Sequence, residues 1–429
     1  MKPKNLARIG RREFLSRAGS AAGVGVMVMN SSLVRGTQAN SAVRIGLLGC
    51  GGRGTSVARG FVNNASARVV ALADLFEGQL TKAQDVFNRL AEDRGRPRIA
   101  NNQIFSGPEA DHLISQSSEV DAVIIATPAY FHPEHLDAVV SAGKHVYCEK
   151  PVAVDVAGCK KVLEIGQKAQ NKQTLHVGFQ IRNAPPFVEL VRRIHNGALG
   201  TIASGEAYYF GTTINRPDWP GATAEERRLR NWIYDRVLSG DIIVEQNIHA
   251  IDICNWILRA HPIAASGAGG RKVRNDHGDC YDHFNVVYTY PNDVHVSFSS
   301  TQFNKGWWGV NERFFGSKGV SQSPYSGPLG IWGDEPWQAD GQASNQGEFS
   351  ASGEFQNNLA EADAEKQRAF VRSITSGAHE NQAKGGVESA LSAILGREAA
   401  YQGRKLTWEE LLASDQTYDA GLNLQAIVS

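Results

Sequence analysis

The chain of 429 residues reads as an α/β protein, a doubly wound parallel sheet followed by an α+β region. Three observations predict the first part: an apolar run that enters a glycine-rich turn, a second apolar run that ends in an acid, and a strand–helix alternation that continues to about residue 179. Apolar residues make up 42% and charged ones 21%, which excludes a disordered or fibrous chain. The length allows about two domains, each large enough for its own core.

Residues 1–39 stand apart, with seven basic groups against the single acid Glu13, while the remaining chain holds 37 basic and 43 acidic residues. A net charge of −6 over that remainder carries no basic footprint for nucleic acid. Arg11-Arg12-Glu13-Phe14-Leu15 precedes the mild apolar run Ala18–Met29, and Thr37-Gln38-Ala39 follows as a small-residue cleavage pattern. The segment resembles a bacterial twin-arginine signal. That resemblance implies export of a folded protein, with any bound cofactor, to the periplasm by the twin-arginine machinery. The competing reading is a frayed basic terminus before an apolar helix, against which Gly19, Ser20, Gly23 and Gly25 count. Elsewhere no run approaches the roughly 18 to 20 apolar residues that span a bilayer, so the mature chain is expected to have no membrane span. Five cysteines, odd in number and without a CxxC pair, suggest neither a disulfide framework nor a zinc cluster.

Val43–Leu48 is a short apolar run that reads as a buried strand and leads directly into Gly49-Cys50-Gly51-Gly52-Arg53-Gly54. Glycines at 49, 51 and 54 match GxGxxG: a tight turn, a close approach of backbone to pyrophosphate, and close packing of helix on strand. A helix starting near Arg53 would aim its free N–H groups at the phosphates. The run Arg68–Ala73 ends in Asp74, 25 residues after Gly49, where a carboxylate can accept both hydroxyls of an adenosine ribose and would repel a 2′-phosphate. NAD is therefore favoured over NADP. A helix over about 77–92, a strand Val120–Ala126 followed by Thr127-Pro128, a helix near 131–142 and a strand Lys144–Cys148 continue the rhythm. Thr127-Pro128 falls at the carboxyl edge of the sheet, where ligands of such sheets sit.

Glu149-Lys150-Pro151 follows the last of these strands at the same edge. Together with the glycine turn, Asp74 and Thr127-Pro128, it makes the sequence resemble the glucose-fructose oxidoreductase, inositol dehydrogenase and MocA superfamily (Gfo/Idh/MocA) over residues 42 to about 410. The resemblance implies a Rossmann domain over 40–180 and, over 181–429, an open and mostly antiparallel sheet that walls the substrate cleft and often forms an oligomer interface. It places Lys150 between nicotinamide and substrate, and Gly49, Cys50, Gly51, Gly52, Arg53, Gly54, Asp74, Thr127, Pro128, His132 and Glu149 around the cofactor. A helix Asp155–Gln170, capped by Asp155, and a strand Thr174–Phe179 complete the nucleotide domain. His132-Pro133-Glu134-His135 has an i, i+3 histidine pair, which the family makes the start of a helix beside the cofactor. No metal is required.

In the second region long strands are expected at Ile202–Phe210, His283–Tyr290 and Val294–Phe303, and helices at Glu361–Thr375 and Val387–Gly403. Pro324–Asn358, rich in Gly, Ser, Gln and Trp, reads as a long surface excursion. Ile251, Cys254 and Leu258 form an apolar stripe at helical spacing that leaves His249, Asp252 and Trp256 on another side. If that helix begins by Glu245, then Glu245 and His249 face the same way. The family places an acid and a histidine at this spacing in its active site, usually with aspartate where Glu245 stands. The resemblance thus implies His249 as base, Lys150 stabilising alkoxide character and Glu245 orienting the imidazole, with Arg182, Asp252 and Trp232 toward the substrate. Trp219, Trp307 and Trp308 also fall in segments the family turns to the cleft or interface, although packing is the more frequent use of such rings.

These readings converge on an exported oxidoreductase, acting on a pyranoside, sugar acid or cyclitol with a tightly bound NAD and forming a homo-oligomer. Because a periplasm has no replenished nucleotide pool, a cofactor regenerated in place is implied. A redox-neutral glycosidase resembling glycoside hydrolase family 109 meets the same condition, although that family carries its histidine in a local motif different from Asn247-Ile248-His249. A non-catalytic sugar or nucleotide sensor is the third reading, against which the presence of both Lys150 and His249 argues.

Overall fold

The computed structural model describes residues 42–214, 217–275, 277–340 and 357–428; the twin-arginine segment lies outside them. Six parallel strands form the first sheet: β1 (Val43–Leu48), β2 (Ala67–Asp74), β3 (Ile104–Ser106), β4 (Ala122–Ile125), β5 (His145–Cys148) and β6 (Leu175–Val177). Their order is β3-β2-β1-β4-β5-β6, so successive strands are laid down first on one side of β1 and then, from β4, on the other, and such a switch point opens a crevice at the carboxyl edge. The sheet is covered on both faces, which is why its strands read as continuous apolar runs. One face carries Val57, Phe61, Leu80 and Phe87 from helices α1 (Gly52–Asn64) and α2 (Glu77–Glu92). The other packs on Ile114, Leu136, Val139, Val162 and Ile165 from α3 (Ala110–Gln116), α4 (His132–Ser141) and α5 (Val156–Ala169). The Asp155 side chain caps α5 by accepting from Gly158 N–H at 2.7 Å.

Strand β3 and helix α3 have no counterpart in the sequence reading. A half-exposed three-residue edge strand produces no apolar run for a pattern to register.

The second sheet has nine strands in the order β14-β13-β12-β11-β7-β10-β9-β8-β15. At its centre β7 (Ile202–Thr212) pairs in parallel with β10 (Val294–Asn304), and the other pairings, including those with β9 (His283–Tyr290) and β11 (Gly309–Gly316), are antiparallel. Strand β8 is Ala264–Gly270 and β12 is Gly319–Gln322. The segment expected as a surface excursion instead supplies the last two strands on one side of the sheet, β13 (Gly330–Gly333) and β14 (Trp337–Gln338), and Tyr325, Leu329 and the β13 residue Ile331 are buried. Its residues 341–356 lie outside those described. The short β15 (Leu406–Thr407) closes the other edge.

Two late helices return to the first sheet. Helix α10 (Ala362–Ser376) places Phe370 against Phe61 and Tyr147, with ring centroids 5.5 and 5.8 Å away. Helix α11 (Ala383–Gln402) is buried along most of its length. The remaining helices used below are α6 (Pro185–His195), α7 (Ala224–Arg230), α8 (Ile242–Glu245) and α9 (Ile248–Leu258).

Candidate active site

The glycine turn shows why each glycine stands where it does. A Cβ on Gly49 would lie 2.6 Å from the Ala126 backbone, at a φ of +93° that disfavours side chains, and one on Gly54 would lie 2.0 Å from the Gly49 carbonyl. Protein packing therefore demands these two. A Cβ on Gly51 or Gly52 would meet nothing within 4 Å, and the φ of Gly51 is an ordinary −69°. Neither conformation nor neighbours require glycine at 51, and the open space lies at the start of a 13-residue helix that no side chain caps among the described residues, which leaves room and N–H donors for an anionic ligand. Asp74 ends β2 with its carboxylate accepting from Cys50 N–H at 2.7 Å and Phe76 N–H at 2.9 Å, and burial raises its pKa. The pyrophosphate and ribose of a dinucleotide fit this cradle.

Other residues expected at the cofactor hold the cradle's frame. Arg53 pairs with the buried Glu149 at 3.1 Å and approaches Asp363 at 3.7 Å. Glu149 also accepts from the Tyr147 hydroxyl at 3.3 Å, and the Arg53 charge helps hold its pKa down against burial. His132 is buried, with Nδ1 2.7 Å from the Pro151 carbonyl and Nε2 2.9 Å from that of Thr127, so it ties the Thr127-Pro128 loop to the cis Lys150-Pro151 bond. Thr127 Oγ1 lies 2.9 Å from His135 Nδ1. The buried Cys50 contributes its backbone N–H, and burial pushes its thiol pKa up.

Lys150 emerges from the end of β5 and donates to Glu245 twice, to Oε1 at 3.1 Å and to the backbone carbonyl. Both side chains are 13% exposed. Glu245 and His249 do not share a helix face. Helix α8 ends at Glu245, the chain turns at Gln246 and Asn247, and α9 starts afresh at Ile248. Four-residue spacing across that break carries no shared orientation, and the Glu245 carboxylate accepts from Lys150, whereas the resemblance implied a contact with the imidazole. The apolar stripe is also superseded, since nearly all of α9 is buried, His249 and Asp252 included.

His249 lies against Phe179, its ring edge-on at 6.1 Å between centroids, and its Nδ1 has no hydrogen-bond partner among the described residues. Burial, then the charges of Lys150, Arg53 and Lys366, push its pKa well below the usual 6.5, so the imidazole is neutral. Asn247 beside it is fully buried, with neither end of its amide bonded among the described residues.

Arg182 lies bidentate on Asp252, at 2.8 and 2.9 Å, and over the Trp256 ring at 5.5 Å. Ser389 Oγ takes up Asp252 Oδ1 again at 2.6 Å. Asp252, expected toward the substrate, thus has both oxygens engaged in holding Arg182, which is itself partly exposed. Trp232, expected toward the substrate, packs instead against the cluster of Leu229, Leu238, Ala420 and Ile427, on which Phe76 and Tyr130 also pack.

The sequence reading did not single out Arg397 or Asp241. The fully buried Arg397 donates to the carbonyls of Val154 at 2.8 Å and Gly240 at 3.0 Å, tying the segment after Lys150 to the one before Glu245. Asp241, at a φ of +76°, accepts from Ile242 N–H at 2.6 Å, Tyr281 N–H at 3.1 Å and the Tyr401 hydroxyl at 2.7 Å. A conserved-looking signal was lacking for Arg397, since one arginine inside an apolar helix has no local motif. Asp241 beside Gly240 was legible only as a turn. Among the described residues no group of three or more His, Cys, Asp or Glu could hold a metal ion, and no helix is long and apolar enough to cross a membrane.

A dinucleotide cradle facing a lysine–glutamate pair and a neutral histidine defines a nicotinamide-nucleotide oxidoreductase. Residues 43–179 match the oxidoreductase family with an NAD-binding Rossmann fold, and residues 187–322 match the GFO/IDH/MocA C-terminal domain. The chain belongs to the Gfo/Idh/MocA family. It is similar to the inositol 2-dehydrogenase of Rhizobium meliloti, 27% identical over 299 residues that cover 67% of this chain and 78% of the relative. The inositol 2-dehydrogenase of Acidothermus cellulolyticus is 27% identical over 59% of this chain and 65% of its own length. In fold the chain resembles the myo-inositol 2-dehydrogenase of Lactobacillus plantarum, at a TM-score of 0.65 and 19% identity, covering 85% of this chain and 99% of that one. The aldose-aldose oxidoreductase of Caulobacter crescentus gives a TM-score of 0.64 at 20% identity with the same coverage.

Proposed function

We propose that this chain is an exported, NAD-dependent oxidoreductase that moves a hydride between a hydroxyl-bearing carbon of a pyranoside, sugar acid or cyclitol and the nicotinamide. The observation that carries the reading is the Lys150–Glu245 pair set with the neutral, buried His249 at the sheet edge where the glycine turn leaves room for a pyrophosphate. NAD, when bound, supplies the two-electron acceptor. Gly51, Gly52 and the start of α1 would hold its pyrophosphate and Asp74 its ribose, which favours NAD over NADP. His249 takes the proton of the substrate hydroxyl, being neutral and free at Nδ1 among the described residues. The Lys150 ammonium faces the same oxygen and stabilises the negative charge that develops there. Glu245 keeps Lys150 in place, and Arg182, held by Asp252, offers its remaining N–H groups to polar substrate atoms.

The names of the curated relatives support a cyclitol, and the structurally similar aldose-aldose oxidoreductase supports a sugar. The paired Arg11-Arg12 supports export, with the cofactor loaded before passage and regenerated in place. Val287, Trp307, Phe315 and Trp332, large and exposed on the strands and adjoining turn of the second sheet, support association with further copies.

The test offers purified protein and NAD to a panel of cyclitols, pyranosides and sugar acids, reading NADH absorbance and product chromatography together. Oxidised product with matching NADH is the expected result, and its loss in Lys150→Met assigns it to this site. Cleaved glycoside without net NADH would replace the reading by the redox-neutral hydrolase. Ligand binding with no turnover of any kind would replace it by a sensor.

A further inference from the structure

Asp74, the acid that would hold the adenosine ribose, is half-buried, and parts of the chain remote from the nucleotide fold gather beside it. Leu75 and Phe76 follow Asp74, and Tyr130 and Phe131 follow β4, so these four side chains flank the end of the groove where Asp74 stands. They pack in one apolar cluster with Leu229, Trp232, Val237 and Leu238 of the second domain and with Ala420, Leu422, Leu424 and Ile427 near the end of the chain. Arg230 stacks between two rings, its guanidinium carbon 3.7 Å from the Phe76 centroid and 4.6 Å from that of Trp219, and Glu226 fixes it at 2.7 Å. Trp219 Nε1 is buried and lacks an acceptor among the described residues. The terminal segment is latched from both sides. Tyr418 N–H donates to Asp155 at 2.6 Å and Ala420 N–H to the Tyr130 hydroxyl at 3.3 Å, while Arg228 donates to the Ala420 carbonyl and Asn423 N–H reaches Glu225 at 3.3 Å.

We propose that Arg230, clasped between Phe76 and Trp219, and the terminal segment 418–428 form a cover beside Asp74 at the adenosine end of the groove, from which the adenosine half of a dinucleotide escapes only when the cover opens. The proposal rests on the reading of this groove as a nicotinamide-dinucleotide site. The Arg230 charge acts on the Asp74 carboxylate, so the clasp stands within electrostatic reach of the group that would hold the ribose. Because the latch joins the first sheet, α7 and the chain end, opening breaks several contacts at once, and the dinucleotide exchanges slowly on the timescale of turnover.

The experiment uses the full chain loaded with NADH and follows its fluorescence on mixing with excess ADP-ribose. The variants are Arg230→Ala, Arg230→Lys, which keeps the charge and the Glu226 partner but loses the planar face, and the pair Leu422→Ser with Leu424→Ser. Reduced nicotinamide mononucleotide, which has no adenosine, is the control ligand. Expected are NADH release at least tenfold faster in each variant and unchanged affinity for the mononucleotide, with the nucleotide-free unfolding temperature checked for each. Release as slow in the three variants as in the parent, or equal weakening of both ligands, overturns the cover. A parent chain that binds no NADH overturns the dinucleotide reading itself, and the cover with it.

Discussion

Lys150 and Glu245 are joined by two hydrogen bonds from one ammonium, to the carboxylate at 3.1 Å and to the backbone carbonyl of the same residue. The lysine is therefore aimed by the end of helix α8 as well as by a charge, and two elements 95 residues apart are locked at the atom that would meet substrate oxygen.

Glu245→Gln should lower kcat by about ten- to a hundredfold through misplacement of the ammonium. Glu245→Asp, which keeps the charge at shorter reach, should recover part of that loss. Lys150→Met should cost about 10² to 10³ in kcat, as removal of a preorganised charge does. Steady-state kinetics on a turned-over substrate decide this, and a Glu245→Gln enzyme with parental kcat would refute the aiming role.

His249 should stay neutral at pH values where an ordinary histidine is half protonated, since burial and neighbouring cations both disfavour its charged form. Removing the Lys150 charge makes protonation less unfavourable, so the His249 midpoint should rise in Lys150→Met. Histidine ring NMR against pH reads both without turnover, and a parental midpoint at 6.5 would contradict the environment described.

Gly51→Ala and Gly54→Ala separate ligand space from packing. The first should leave stability within about 1 kcal/mol, the usual scale of an exchange at a helix start, and weaken NADH binding. The second forces a Cβ onto the Gly49 carbonyl and should destabilise by about 1–3 kcal/mol or more. Thermal unfolding and NADH titration, run together, check the contrast.

Asp241 is fully buried and burial raises its pKa from 3.8 to about 6. The folded state then binds the proton more tightly than the unfolded one, so the contribution is fully present below about pH 4 and is lost as pH rises through 6. The stability of the parent relative to Asp241→Asn should therefore fall by about 2 kcal/mol between pH 4 and 7. Urea unfolding at four pH values measures it, and a constant difference would show that Asp241 does not titrate in this range.

How far the site could be read from sequence varied with how local its causes are. Val43–Leu48, Asp74 and the glycine turn were legible because strand, turn and helix start lie within a dozen residues or follow a fixed spacing, and the helix Glu77–Glu92 because its periodicity is strong. Glu245 and His249 were paired by the family resemblance and by a spacing that assumed one helix, and a two-residue turn at Gln246 and Asn247 undid the shared face that spacing implied. Strand β13 was lost in a Gly- and Ser-rich stretch, since a short strand near the end of a sheet needs only neighbours with free N–H and C=O groups, here β12 and β14.

By itself the sequence determined the α/β class and the glycine turn and named the candidate side chains for the chemistry, since these rest on local backbone geometry and on residue type. Tertiary structure alone decided the partnerships: Glu245 with Lys150, Asp252 with Arg182, Glu149 with Arg53, and Arg397 between two loop carbonyls. Each joins segments from 70 to more than 200 residues apart. A charge buried by the fold must find its counter-charge or hydrogen-bond partners wherever packing brings them, and no short-range pattern records that choice.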